Sequence, residues 1–268
     1  MSTDVIITRG RLLKTGREYI IRELHKEDIF ELHALHKLIL SGLKPEQQQF
    51  IHHKSVSDFN RMIENRDQLV IGAFSEGRLI GYSSANFINE RNMENVLPGF
   101  NLDYEPEKIV VLEQASVNPA FRGNNLASVM NACRQKIAFR NRGRKYAVTM
   151  VDINNYYSYR NGLRNGMCIT QAAVDPEDGG HIVYLAKELG NPPVFNEERG
   201  KIKVGYGEMR LDIVNMLLEN GYVANGFNDE EKSVIFKHTN SFDNRHRLIN
   251  RRRKGQSFGF RAAAGAGR

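Results

Sequence analysis

The chain has 268 residues, of which 41% are hydrophobic and 26% charged, with two cysteines and a formal net charge of +7. That much apolar residue in a chain of this length supplies a real core and excludes a disordered protein, and no run approaches the roughly 18 consecutive apolar residues of a membrane helix. The charge is localised: residues 244–268 hold Arg245, Arg247, Arg251, Arg252, Arg253, Lys254, Arg261 and Arg268 and no acid, so they carry +8, and everything before them carries −1.

Asp4 to Thr8 reads as a possible short strand and Glu18 to Arg22 as a strand, followed by a helix over Asp28 to Leu40 with Ile29, Leu32, Leu35, His36 and Ile39 near one face. The opening MSTDVIITRGRLLK lacks the apolar centre of a signal peptide, so a cytoplasmic location is expected. His25, His33, His36, His52 and His53 raise a metal reading, but no cysteine or carboxylate completes a ligand set, and no metal is expected. Ser55-Val-Ser-Asp58 is a capping-box pattern that opens a second short helix. Gln68 to Phe74 and Leu79 to Ile88 form a hairpin across Ser75-Glu-Gly-Arg78. Asn89 to Glu107 is a long loop holding Glu90, Glu94, Asp103, Glu105 and Glu107 against Arg91 alone, either a functional loop or a solvated acidic one.

The chain is organised around Lys108 to Met130. Lys108 to Val117 is a strand, stopped by Asn118-Pro119, and Arg122-Gly123-Asn124-Asn125 makes a polar turn into a helix carrying Leu126, Val129, Met130, Cys133 and Ile137 on one face. A helix N-terminus entered through such a turn presents unpaired N–H groups and the positive end of the dipole, a site for a phosphate. Tyr146 to Asp152 is a further strand, Asn155-Tyr-Tyr-Ser158 follows it, and Cys168 to Ala173 and His181 to Ala186 pair as a hairpin. Cys133 and Cys168 fall on apolar elements and are expected to be buried thiols. Asn191-Pro-Pro193 marks a boundary; beyond it Glu208 to Glu219 reads as a helix and Ser233 to His238 as a strand. Gly205-Tyr-Gly lacks the third glycine of a dinucleotide fingerprint.

Val117-Asn-Pro-Ala-Phe-Arg-Gly-Asn-Asn-Leu-Ala127 resembles motif A of the GNAT N-acetyltransferase superfamily, in which Arg/Gln-x-x-Gly-x-Gly/Ala follows a Val-x-Pro lead-in. Asn125 stands in place of the first glycine; it is the non-glycine residue that best tolerates the left-handed region. Asn155, Ser158, Gly166 and Met167 are similar to the second signature of that family, with Gly162 in the slot where many members carry tyrosine. The resemblance covers about Tyr19 to Leu189 and implies an α/β (α+β) GNAT fold, a mostly antiparallel sheet of six to seven strands splayed between strands 4 and 5 and flanked by helices. The expected organisation is a GNAT domain at 1–189, a helix and strand extension packed on it at 190–243, and a basic, disordered tail at 244–268.

The resemblance further implies acetyl-CoA as co-substrate, its pyrophosphate on the backbone of Arg122, Gly123, Asn124, Asn125, Leu126 and Ala127, with Asn155 and Ser158 also at the cofactor. Val117 would pair with the pantetheine arm and Ala115 would donate its N–H to the oxyanion. Glu113, two residues from Ala115 and therefore expected on the same face of the strand, is the implied general base. Tyr159, then Tyr157, are the candidate acids nearest the missing tyrosine. The acceptor would be an amine of a small molecule or protein. An alternative reading is a silent domain that binds nucleic acid or protein through residues 244–268, where arginines would meet the phosphates of RNA or DNA and Phe258 and Phe260 would stack on bases.

Overall fold

The computed structural model describes residues 5–96, 104–175 and 179–239. Among the described residues eleven strands form one sheet: β1 Ile6–Arg11, β2 Glu18–Glu23, β3 Gln68–Ser75, β4 Arg78–Phe87, β5 Ile109–Val117, β6 Tyr146–Asp152, β7 Cys168–Val174, β8 His181–Glu188, β9 Lys201–Gly205, β10 Tyr222–Asn228 and β11 Ser233–His238. Their spatial order is β1-β2-β3-β4-β5-β6-β8-β7-β10-β11-β9, and every neighbouring pair is antiparallel except β5 and β6. The helices are α1 Ile29–Ser41, α2 Val56–Glu64, α3 Met93–Val96, α4 Leu126–Arg142, α5 Tyr156–Arg164 and α6 Leu211–Glu219.

Both faces of the sheet are covered. On one, Leu32, Leu35 and Ile39 of α1 and Phe59 of α2 pack on Val70, Phe74 and Tyr82. On the other, Leu126, Met130 and Cys133 of α4 pack on Ala85, Phe87, Val110 and Leu112. This second core continues through Tyr159, Leu163, Ile169 and Leu185 to Val214, Leu217, Ala224 and Phe236. At about 1.5–3 kcal/mol per large side chain buried, the C-terminal elements are held by the same apolar driving force as the rest. Both cysteines are buried thiols, and burial raises the pKa of each.

The mixed, largely antiparallel class is as the resemblance implied; the strand number is larger. β1 adds one strand at one edge, and β9, β10 and β11 add three at the other, joined to the sheet where Ala224 of β10 pairs with Ile169 of β7. The tail and its nucleic-acid reading lie outside the described residues. No helix among the described residues is long and apolar enough to cross a membrane.

The splay falls between β5 and β6, the fourth and fifth strands as the sequence numbered them. They pair only at Ile109–Tyr146, Val110–Ala147 and Val111–Val148. Beyond this, β5 stays paired to β4 as far as Val117, and β6 to β8 as far as Asp152. Leu112–Val117 and Thr149–Asp152 therefore diverge, leaving a gap in the sheet with α4 and α5 starting at its mouth.

Gly162 has a packing reason. A Cβ at this position would stand 2.7 Å from Leu185 Cδ2, itself fully buried, so a side chain there requires Leu185 to shift within the core. Gly162→Tyr is expected to lower stability by about 1–3 kcal/mol, read from urea unfolding; an unchanged midpoint would show that Leu185 simply moves aside.

Candidate active site

Strand β5 carries a bulge. Ser83 pairs with Ala115 and Ala85 with Leu112, so two residues of β5, Glu113 and Gln114, face one of β4, Ser84. An antiparallel pair shares a face, and residues two apart on β4 share one as well, so Leu112 and Ala115 point to the α4 side although three apart. Glu113, Gln114 and Ser116 point to the α1–α2 side with Tyr82. This corrects the expectation that Glu113 and Ala115 share a face: period-two alternation does not survive the extra residue.

The bulge leaves carbonyls without ladder partners, and α4 supplies the donor. Arg134 is 2% exposed, and its Nη1 donates to the carbonyl of Ser84 and, at 3.0 Å, to that of Glu113. Burial lowers its pKa to about 10, while the Glu113 charge acts in the opposite direction. Sequence reasoning missed this residue, although a signal existed: Arg134 stands one turn after Met130, on the apolar stripe of its helix.

On the α1–α2 side two groups of polar side chains lie at the bulge, one around Glu113 and one around Gln114. Ser84 Oγ donates to Glu113 Oε2 at 3.2 Å and Asn86 Nδ2 donates to Glu113 Oε1. Lys54 Nζ donates to Gln114 Oε1 at 2.9 Å, and Gln114 Nε2 donates to Tyr82 Oη at 2.7 Å and Ser116 Oγ at 2.8 Å. The Lys54 backbone N–H lies 3.1 Å from His36 Nε2, and His36 Nδ1 lies 2.8 Å from Tyr82 Oη. An amide N–H can only donate, so Nε2 is the acceptor and Nδ1 carries the proton given to Tyr82. His36 is thus a neutral imidazole; burial and the nearby Lys54, His53 and His33 push its pKa down to about 4. Burial raises the Glu113 carboxyl above the usual carboxylate range, with the Ser84 hydrogen bond and the charges of Lys54 and Arg134 opposing. Burial lowers Lys54, against the Glu113 and Asp58 charges.

At the mouth of the gap, Gly123 and Asn125 both have positive φ, 79° and 62°, so Asn125 adopts the left-handed conformation itself. Asn124 is 4% exposed and braces the turn: its Nδ2 donates to the Phe121 carbonyl at 2.9 Å and its Oδ1 accepts from the Lys14 N–H at 2.9 Å. Arg122 is exposed, Leu126 buried and Ala127 half-buried. Ala115 and Val117 lie along the gap, paired on their other side to Ser83 and Gly81. Asn155 Oδ1 accepts from the Ser158 N–H at 3.3 Å, so this side chain caps α5. Asn165 Nδ2 joins α5 to α4 through Ser128 Oγ at 2.9 Å.

The two tyrosine candidates separate. Tyr157 is 61% exposed, whereas Tyr159 is fully buried, with its ring edge-on to Tyr206 and no hydrogen-bond partner on its hydroxyl among the described residues. Tyr159 stands three residues before Gly162, on the same face of α5, and burial raises its pKa. No metal-ligating cluster occurs among the described residues.

The arrangement offers a strand that leaves its β6 neighbour after Val111, a positive-φ turn into the α4 N-terminus at its end, and a carboxylate of raised pKa on the opposite face from Ala115. Residues 31–160 match the sequence model of the acetyltransferase (GNAT) family. A comparison with curated protein sequences gives no match. Among solved structures, the chain resembles the GNAT domain of S. lividans PAT, at 18% identity over 70% of this chain and 96% of that one, with a TM-score of 0.51. It also resembles yncA of Salmonella typhimurium, solved with acetyl-CoA, at 16% identity over 65% of this chain and 95% of that one, with a TM-score of 0.49. At these identities the likeness is one of fold.

The depressed His36 pKa fixes the sign of a pH effect. The unfolded chain binds this proton near pH 6.5 and the folded chain only near 4. Stability contributed by the neutral ring is therefore present above pH 6.5 and is lost as pH falls toward 4, with a slope approaching about 1.4 kcal/mol per pH unit. Denaturant unfolding between pH 7 and 4.5 is expected to show a shallower slope for His36→Gln than for the wild type; parallel slopes would refute the neutral assignment.

Proposed function

The chain carries a domain of the GNAT acetyltransferase family, and from that premise we propose that it moves an acetyl group from acetyl-CoA to a primary amine of a small molecule or protein, by direct transfer in a ternary complex. The observation that carries the reading is the coincidence at one place of the β5–β6 gap, the polar turn into a helix N-terminus at its mouth and the half-buried Glu113 beside it. Residues 1–189 are the transferring unit in this reading, and 190–243 an extension built onto it.

Each residue's part follows from its chemistry. The backbone N–H groups of Arg122 to Ala127 hold the pyrophosphate, where the helix dipole favours negative charge. The β5 edge through Val117 takes the pantetheine arm. Glu113 removes the proton from the acceptor ammonium, and its raised pKa brings it closer to the amine's own. The freed amine attacks the thioester carbonyl carbon; the C–N bond forms, the C–S bond breaks, and the Ala115 N–H stabilises the intermediate oxyanion. The thiolate takes a proton from a tyrosine. Tyr159 is preferred over Tyr157, because its hydroxyl proton has no other acceptor and burial keeps it protonated at neutral pH. Neither cysteine serves as a nucleophile, since both thiols are buried with raised pKa values.

A panel of amine and peptide acceptors with a free-thiol readout tests the reading; thiol release dependent on an acceptor is expected, and none across the panel, together with no calorimetric binding of acetyl-CoA, would defeat it. With an acceptor in hand, Glu113→Gln is expected to lower kcat/KM about 10²–10⁴-fold. The wild-type rate should rise with pH through an ionisation above the normal carboxylate range, and that limb should vanish in the variant. Retention of both rate and limb would remove Glu113 as the base.

A further inference from the structure

The turn Arg122–Asn125 is approached by Lys14, ahead of the segment matching the family, and by Arg164, just beyond it on the last turn of α5, and the C-terminal extension packs on α5. Arg160 and Arg164 stand four apart on α5, on one face. Their guanidinium carbons lie 4.9 and 5.3 Å from the ring centroid of Phe227, on β10. Arg160 is also ion-paired to Asp229, just past the end of that strand. Arg164 Nη1 in turn lies 3.3 Å from Asn125 Oδ1, the residue that precedes α4 in the left-handed conformation. Arg164 is exposed, so a guanidinium with five donors in a fixed fork has most of them facing solvent beside the turn.

We infer that the C-terminal extension completes the cofactor site: Phe227 and Asp229 are positioning residues for the arginine pair of α5, and Arg164 is a phosphate ligand for the bound acetyl-CoA. The inference rests on the acetyl-transfer reading and adds to it a part that motif A does not contain. A long side chain on the last turn of a helix samples many rotamers, and two arginines at this spacing repel. The aromatic face of Phe227 gives both guanidinium groups a common platform, and Asp229 offsets the Arg160 charge. Arg164 is thereby directed at Asn125, where a phosphate on the turn's N–H groups would meet it. On the far side of the turn, the Lys14 chain lies over Gly123, with Nζ 2.8 Å from where a Cβ would stand. Cations from the β1–β2 hairpin, from motif A and from α5 thus converge on one turn.

Calorimetric titration of the full chain with acetyl-CoA tests this in the wild type, Arg164→Gln, Phe227→Leu and Phe227→Tyr. Arg164→Gln and Phe227→Leu are expected to weaken binding about tenfold. Phe227→Tyr keeps the aromatic face and should stay within about twofold of the wild type. Wild-type affinity in Arg164→Gln, or equal losses in the leucine and tyrosine variants, would overturn the inference while leaving the acetyl-transfer reading intact. No binding by the wild type would instead bring down that reading and this inference with it. Should Phe227→Leu fail to fold, Arg164→Gln, at an exposed helix end, still decides.

Discussion

One buried cation organises the centre of this molecule. Removing a guanidinium from water costs several kcal/mol, and the cost is met only where carbonyls and opposite charge surround it. Arg134 meets that condition because β5 has a bulge whose carbonyls would otherwise be orphaned, and because Glu113 lies on the same bulge. The dependence is mutual: without the bulge Arg134 has no partners, and without Arg134 the Ser84 and Glu113 carbonyls lose their donor. The bulge also changes which way β5 side chains point, so that Glu113 faces α1 and α2 while Ala115 faces α4. A carboxylate and a backbone edge that regular alternation would place together are set on opposite sides of a thin barrier, an arrangement suited to two substrates approaching from opposite faces.

The network on the α1–α2 side then sets protonation states. Tyr82, Gln114, Ser116, Lys54 and His36 are joined by hydrogen bonds of 2.7–3.1 Å, and the backbone donor at Lys54 fixes the imidazole tautomer. Each member holds another in place, and the Glu113 carboxylate beside it is held by Ser84 and Asn86. Its ionisation is balanced between burial, which raises the pKa, and the Lys54 and Arg134 charges, which lower it. The net direction is upward, because burial is the largest of these influences.

Much of the frame was legible in the sequence because it rests on strong local signals. Ser55 and Asp58 form the capping box that starts α2, and the apolar run Ile109 to Leu112 is a buried strand. Asn125 was recognisable as a tolerated substitute for glycine because its side chain suits the left-handed region. What could not be read has equally physical causes. β10 carries Asn225-Gly226, a dipeptide that signals a turn, but Gly226 lies at a bulge in a continuous strand. β9 is a short edge strand with alternating lysines, which read as solvated loop. The bulge in β5 has no glycine to mark it, so simple alternation misassigned the face of Glu113. Arg134 and Lys54 act through contacts 21 to 60 residues away in the chain, and Lys14 on Asn124 across 110, and such pairings have no local signature.

The central claim is that the gap between Leu112–Val117 and Thr149–Asp152 receives an acetyl thioester whose phosphates rest on the Arg122–Ala127 turn. A crystal structure of the chain with acetyl-CoA tests it most directly. The account predicts the pyrophosphate on that turn, the pantetheine along β5, and the thioester carbonyl at the Ala115 N–H, with the bulge and Arg134 in place. Cofactor bound elsewhere on the sheet, or a regular β5 with Glu113 turned to the α4 side, would contradict it.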